Sequence, residues 1–120
     1  MCKPPHRPMS ETLDRMMERS DELWESSILP SLGEFIGIKA LSPLFEPKWD
    51  SLGELDATID LFSAWLDDQG ISGMSYQKHT IDGKSPVLLV TIEGTGKGEV
   101  VFYSHLDLSL IHISEPTRPY

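Results

Sequence analysis

A chain of 120 residues with 39% hydrophobic content suits one small globular domain with a core of modest size, not a disordered polymer. Its 10 lysines and arginines against 19 aspartates and glutamates give a formal net charge of −9, which argues against nucleic acid as a partner. No apolar run reaches the ~18 residues of a membrane span, and the opening residues lack a secretory apolar stretch, so the expected compartment is cytoplasmic with no membrane partner. The single cysteine, Cys2, supplies neither a disulfide framework nor a thiolate cluster, which leaves His, Asp and Glu as the only metal ligands.

Residues 1–9 are rich in proline with scattered charge and read as a flexible leader, in which Met9 is an alternative start. Ser10 is placed as an N-cap, and Leu13, Met16, Met17, Leu23, Trp24, Ile28 and Leu32 follow at helical spacing up to the interruption at Pro30. The pattern predicts a helix to about Ser27 and then a further turn or short helix, with Met16 and Met17 as core filling. Residues 38–49, punctuated by Pro43 and Pro47, are expected to form a structured loop with apolar anchors.

Ser51 followed by Glu54 matches a capping box, and Leu55, Ile59, Phe62 and Leu66 continue at helical intervals to a glycine stop at Gly70. Trp65, beside that stripe, is read as a packing residue. Strands are predicted at residues 74–81, 87–92 and 100–104, with a turn at Asp82-Gly83. The last two runs are almost wholly apolar, which suits strands buried on both faces of a sheet covered by helices and favours an α/β layered domain. No internal repeat is present, and no low-complexity segment remains outside the leader.

Gly94-Thr95-Gly96-Lys97-Gly98 fits neither the Walker spacing nor the dinucleotide fingerprint, and a strand is expected after it where phosphate loops need a helix, so it reads as a hairpin loop. His79, among Gln77, Lys78 and Thr80, reads as a solvated surface residue. His6 falls in the leader and His112 in the tail, and neither is given a role. His105-Leu106-Asp107 differs, because it is predicted to end a buried strand and residues two apart on a strand share a face. One imidazole nitrogen can then take a metal while the carboxylate fixes the ring. The C-terminal ends of strands are also where open α/β sheets place their ligands.

The segment Ile28-Leu29-Pro30-Ser31-Leu32, the Leu41-Ser42-Pro43-Leu44-Phe45 loop with Trp49, the Trp65 helix, and residues 87–90 leading to Val101-Phe102-Tyr103-Ser104-His105-Leu106-Asp107 resemble the opening of the zinc dipeptidase family. That group includes carnosinases and cytosolic nonspecific dipeptidases and is related to acylamino-acid deacylases, succinyl-diaminopimelate desuccinylase and glutamate carboxypeptidase. The resemblance covers roughly residues 20–107, and its chemically specific element is His105-Leu106-Asp107, before which the family usually carries glycine where this chain has Ser104. It implies the N-terminal part of a three-layer α/β zinc-exopeptidase catalytic domain, incomplete as it stands, over residues 10–107.

By the same resemblance His105 is a zinc ligand and Asp107 the catalytic-site carboxylate that orients it. The family holds two zinc ions, and its other ligands, with the glutamate that serves as general base, come from later sequence. The full-length parent is implied to be a homodimer that hydrolyses dipeptides or small acylated amino acids with a metal-activated water. This fragment is expected to be inactive and to hold no zinc tightly, since a catalytic zinc needs about three protein ligands.

Leu108-Ser109-Leu110-Ile111-His112-Ile113-Ser114-Glu115-Pro116-Thr117-Arg118-Pro119 resembles one reading frame of a transposase-based sequencing adapter. Residues 108–120 are therefore expected to be a non-native tail and are set apart from the fold. The alternative to the enzyme fragment is a short acidic interaction module without catalysis. With its apolar strands uncovered, the free polypeptide is expected to aggregate or to be degraded.

Overall fold

The computed structural model describes residues 8–108, so the expected leader (apart from Pro8 and Met9) and the tail beyond Leu108 lie outside the described residues. The chain divides into two compact units near residue 36.

The first unit is helical. Helix α1, Met9–Leu23, begins one residue before the predicted cap: Pro8 has φ −55° and ψ 141°, and its carbonyl accepts the Thr12 N–H at 3.3 Å. Ser10 therefore lies inside the first turn and makes no side-chain cap, which corrects the sequence reading. A π-helical turn, Trp24–Ile28, joins α1 to α2, Leu29–Gly37, with the Leu29 N–H donating to the Trp24 carbonyl five residues back. Pro30 explains the wide turn. It has no N–H to give, and its ring would crowd the carbonyl four residues earlier in a regular α-helix, so the ladder changes register just before it. The expected break at Pro30 is thus a change of helix type. Met16 and Met17 are 64% and 59% exposed, and α1 and α2 bury no residue, so the core-filling reading of the two methionines is overturned. Helical spacing marks an apolar stripe but does not say what covers it.

The second unit begins with the expected loop. Within it Phe45 and Glu46 donate backbone N–H groups to the Ser42 carbonyl at 2.9 and 3.1 Å, and the Lys48 N–H reaches Glu46 Oε1 at 3.0 Å. Phe45 and Trp49 are half-buried anchors, whereas Leu44 is 83% exposed. A single helical turn, α3, Trp49–Leu52, precedes α4, Glu54–Asp68. Between them Gly53, at φ 69°, adopts the left-handed conformation that ends one helix and starts the next. Because α3 takes up Ser51, its hydroxyl donates to the Lys48 carbonyl at 3.0 Å, and the predicted capping box does not form.

Helix α4 carries the core. Leu55, Ile59 and Leu66 are buried as their spacing predicts, joined by Thr58, whose hydroxyl donates to the Glu54 carbonyl at 2.9 Å. Burying each aliphatic side chain contributes about 1.5–3 kcal/mol. Phe62 and the half-buried Trp65 stack with ring centroids 5.9 Å apart and planes 9° apart, consistent with the packing role assigned to Trp65. Gly70, at φ 59°, follows the helix as the expected stop.

Strands β1, Met74–His79, and β2, Val87–Ile92, pair antiparallel in the register Met74↔Ile92, Tyr76↔Val90 and Lys78↔Leu88. Gly83, at φ 69°, and a 2.9 Å bond from the Lys84 N–H to the Ile81 carbonyl form the turn between them. Two side chains from one face of β1 tie the hairpin to α4: the Tyr76 hydroxyl donates to Asp67 at 2.9 Å, and the Lys78 ammonium pairs with Asp56 and, at 3.8 Å, with Asp60. Burial in β2 alternates, with Leu88 and Val90 half-buried and Val87 and Leu89 59% and 55% exposed. That is the pattern of a sheet covered on one side, and it corrects the expectation of burial on both faces.

No third strand forms among the described residues. Val100, Val101, Phe102 and Tyr103 are 79%, 88%, 90% and 94% exposed and lie in no ladder, so residues 94–98 do not close a hairpin. A strand exists only through its partner's hydrogen bonds, and neither edge of the β1–β2 pair receives this segment. The architecture is mixed helix with a two-stranded antiparallel sheet, broadly α/β. No helix among the described residues is long and apolar enough to cross a membrane.

Candidate functional site

His105 and Asp107 lie in the irregular segment after residue 99, anchored at one end by the backbone of Leu108. The Leu108 N–H donates to the Ala40 carbonyl at 2.7 Å and its carbonyl accepts the Ser42 N–H at 2.9 Å, which gives a parallel bridge to Leu41. From the sequence, Leu108 belongs with the expected tail and the Leu41 loop has only apolar anchors. In the structure the backbones of these two segments pair beside Asp107. No side-chain signal announces this contact, because main-chain groups alone form it.

The predicted pair does meet. His105 Nδ1 stands 3.2 Å from Asp107 Oδ1 and 3.0 Å from the Asp107 carbonyl oxygen, although no strand ladder holds the segment. With its proton on Nδ1, the imidazole donates to Asp107 and keeps the Nε2 lone pair for a Lewis acid. The His105 side chain is 69% exposed and that of Asp107 34%, so the ring is open to an incoming ion while its orienting carboxylate is more sheltered. This donor chemistry fits one metal ligand and its support. Among the described residues no group of three or more His, Cys, Asp and Glu side chains gathers to hold an ion.

Tyr76 and Lys78 tie the hairpin to α4 through aspartates. Hydrogen bonding to Asp67 raises the Tyr76 phenol above its ordinary value, with smaller contributions from desolvation and the Asp67 charge. The hydrogen bond to Asp56 raises the Lys78 ammonium, reinforced by the Asp56 and Asp60 charges and partly opposed by desolvation. An open hollow of about 360 Å³ beside the hairpin turn, bordered by Trp49, Asp56, Asp82 and Lys84, contains neither His105 nor Asp107. His79 is exposed at the end of β1, as its polar neighbours predict. His6 and His112 lie outside the described residues.

No protein-family model matches the chain, and no curated protein matches it either.

Proposed function

We propose that residues 10–107 are the N-terminal portion of a zinc-dependent dipeptidase or related amidohydrolase, with His105 as a zinc ligand and Asp107 as its orienting carboxylate. The observation that supports this reading is the contact of His105 Nδ1 with Asp107 Oδ1 at 3.2 Å, which is the support a metal-binding imidazole requires. In this reading residues 74–104 supply strands to a three-layer α/β sandwich, and residues 108–120 are adapter-derived. The parent acts in the cytoplasm as a homodimer on dipeptides or small acylated amino acids.

Zinc, when bound, supplies a water acidified to a pKa of about 7 and polarises the scissile carbonyl. Asp107 holds the imidazole in the tautomer that leaves Nε2 free, and His105 then serves as one ligand among several. The chain of 120 residues is not itself catalytic in this reading.

An independent read of the transcript across residues 104–110 tests the proposal. Continuation of the frame past Asp107 into sequence carrying further His, Asp and Glu ligands supports it, and a native message that encodes Leu108 through Tyr120 and then stops overturns it. In the continued protein Asp107→Asn is expected to weaken zinc affinity or activity by about 10–100-fold.

A further inference from the structure

We propose that Asp82-Gly83 is a self-modifying site, at which the backbone rearranges through a succinimide to isoaspartate without an enzyme or cofactor. It uses neither His105 nor Asp107 and does not depend on the metal reading. The reaction needs a backbone nitrogen that can reach the Cγ carbon of the aspartate before it, and glycine, having no Cβ, obstructs that approach least. Asp82 and Gly83 are both exposed in the turn between β1 and β2. Gly83 holds φ 69°, and nothing stands within 4 Å of where a Cβ would project from it. The hydrogen bond that closes the turn, 2.9 Å to the Ile81 carbonyl, is donated by the Lys84 N–H and not by that of Gly83. Both residues border the open hollow of about 360 Å³ beside the turn, which admits the water that completes the reaction.

At the other aspartates the fold holds the following nitrogen in place. Asp107 precedes Leu108, whose N–H donates to the Ala40 carbonyl at 2.7 Å, and Asp50 precedes Ser51, whose N–H donates to the Lys48 carbonyl at 3.1 Å. Asp56 precedes Ala57, bonded to the Gly53 carbonyl at 3.0 Å, and Asp68 precedes Gln69, bonded to the Leu66 carbonyl at 3.1 Å. Asp14, Asp21, Asp60 and Asp67 lie within α1 and α4, where the helical ladder engages the next N–H. The chain contains no asparagine, so deamidation does not supply the same succinimide.

The steps balance with neither oxidant nor reductant. The Gly83 nitrogen bonds to Asp82 Cγ, a Cγ–O bond breaks, and the amide proton leaves with the carboxyl hydroxyl as one water. Water then opens the ring. Cleavage of the new N–Cγ bond restores Asp82, whereas cleavage of the original peptide bond leaves Gly83 joined through Cγ as isoaspartate. The product keeps its mass and charge but carries one more main-chain carbon inside the turn.

The test ages the full chain in warm buffer, labels it with an isoaspartate-specific carboxyl methyltransferase and a labelled methyl donor, and maps the label by peptide mass spectrometry. Label is expected to grow with time on the peptide that holds residue 82, beside a minor species lighter by one water. Asp82→Glu keeps the charge but enlarges the ring by one atom, and is expected to lose the label. Its side chain is exposed, so the fold is retained, and circular dichroism checks this. Absence of label after ageing, label at Asp50 or Asp107 in the folded chain as fast as at Asp82, or label undiminished by Asp82→Glu would each overturn the proposal.

Discussion

Replacing Ile59 by alanine probes whether the second unit rests on the buried stripe of α4. Ile59 is 4% exposed and sits one turn from Leu55, itself 7% exposed, within a core whose buried aliphatic members are Ala40, Leu55, Ile59 and Leu66. The substitution removes three carbon atoms, which at about 0.8 kcal/mol per buried carbon amounts to roughly 2.4 kcal/mol. The cavity left behind adds to that figure, and the better helix propensity of alanine returns a few tenths of a kcal/mol. A net loss of about 2–3 kcal/mol is expected, a large fraction of the ~5 kcal/mol available to a small domain. Urea titration followed by the fluorescence of Trp49 and Trp65 measures it in the second unit, with Ile81→Ala as control. Ile81 is 71% exposed, so the same chemical change there should stay within about 0.5 kcal/mol. Equal losses at the two sites, or an Ile59→Ala loss below about 0.5 kcal/mol, would refute the assignment of the core to α4.

Lys78 and Tyr76 both have proton affinities raised by folding, so the stability they contribute is complete below their unfolded values and is lost as pH rises through the folded ones. The tie between β1 and α4 should loosen above about pH 10, seen as faster amide exchange in the hairpin, and a tie that tightens with rising pH would contradict the assignment. Lys78→Gln should abolish most of the lysine part of that dependence while costing at most about 1 kcal/mol at neutral pH, since Lys78 and its partner Asp56 are 31% and 46% exposed. Gly70→Ala forces a side chain into the left-handed region at φ 59° and should cost about 1–2 kcal/mol by thermal or urea melting. Thr58→Val keeps the shape of a buried residue and deletes only its bond to the Glu54 carbonyl, which Asp14→Asn on exposed α1 does not touch. A change below about 1.5 kcal/mol is expected for the valine variant in the same melt.

What the sequence made legible follows the range of the forces involved. The stripe of Leu55, Ile59 and Leu66, the stop at Gly70 and the limits of β2 are local patterns, and the structure places them as the pattern reads. The contact of His105 with Asp107 was legible for the same reason, because the two residues are close in sequence whatever the segment around them does. Ser51 misled because two short-range possibilities competed for one hydroxyl, and the turn of α3 took it. The fate of Met16, Met17 and residues 100–104 depends on which surface or edge lies against them, a non-local matter that composition does not encode. The bridge from Leu108 to the Leu41 loop left no trace in side-chain pattern at all.

The wide turn at Trp24–Ile28 carries a consequence for sequence drift. A π turn accommodates one more residue than the α turn it replaces, and each residue of an α-helix advances the side chains by 100°. Loss of one residue from this turn would restore a regular α turn and leave Leu32 and Ile36 nearly in phase with Leu13 and Met16, but would push the Pro30 ring back against a carbonyl. Deletions here should therefore survive only alongside replacement of Pro30, so length and proline are expected to change together when related chains diverge.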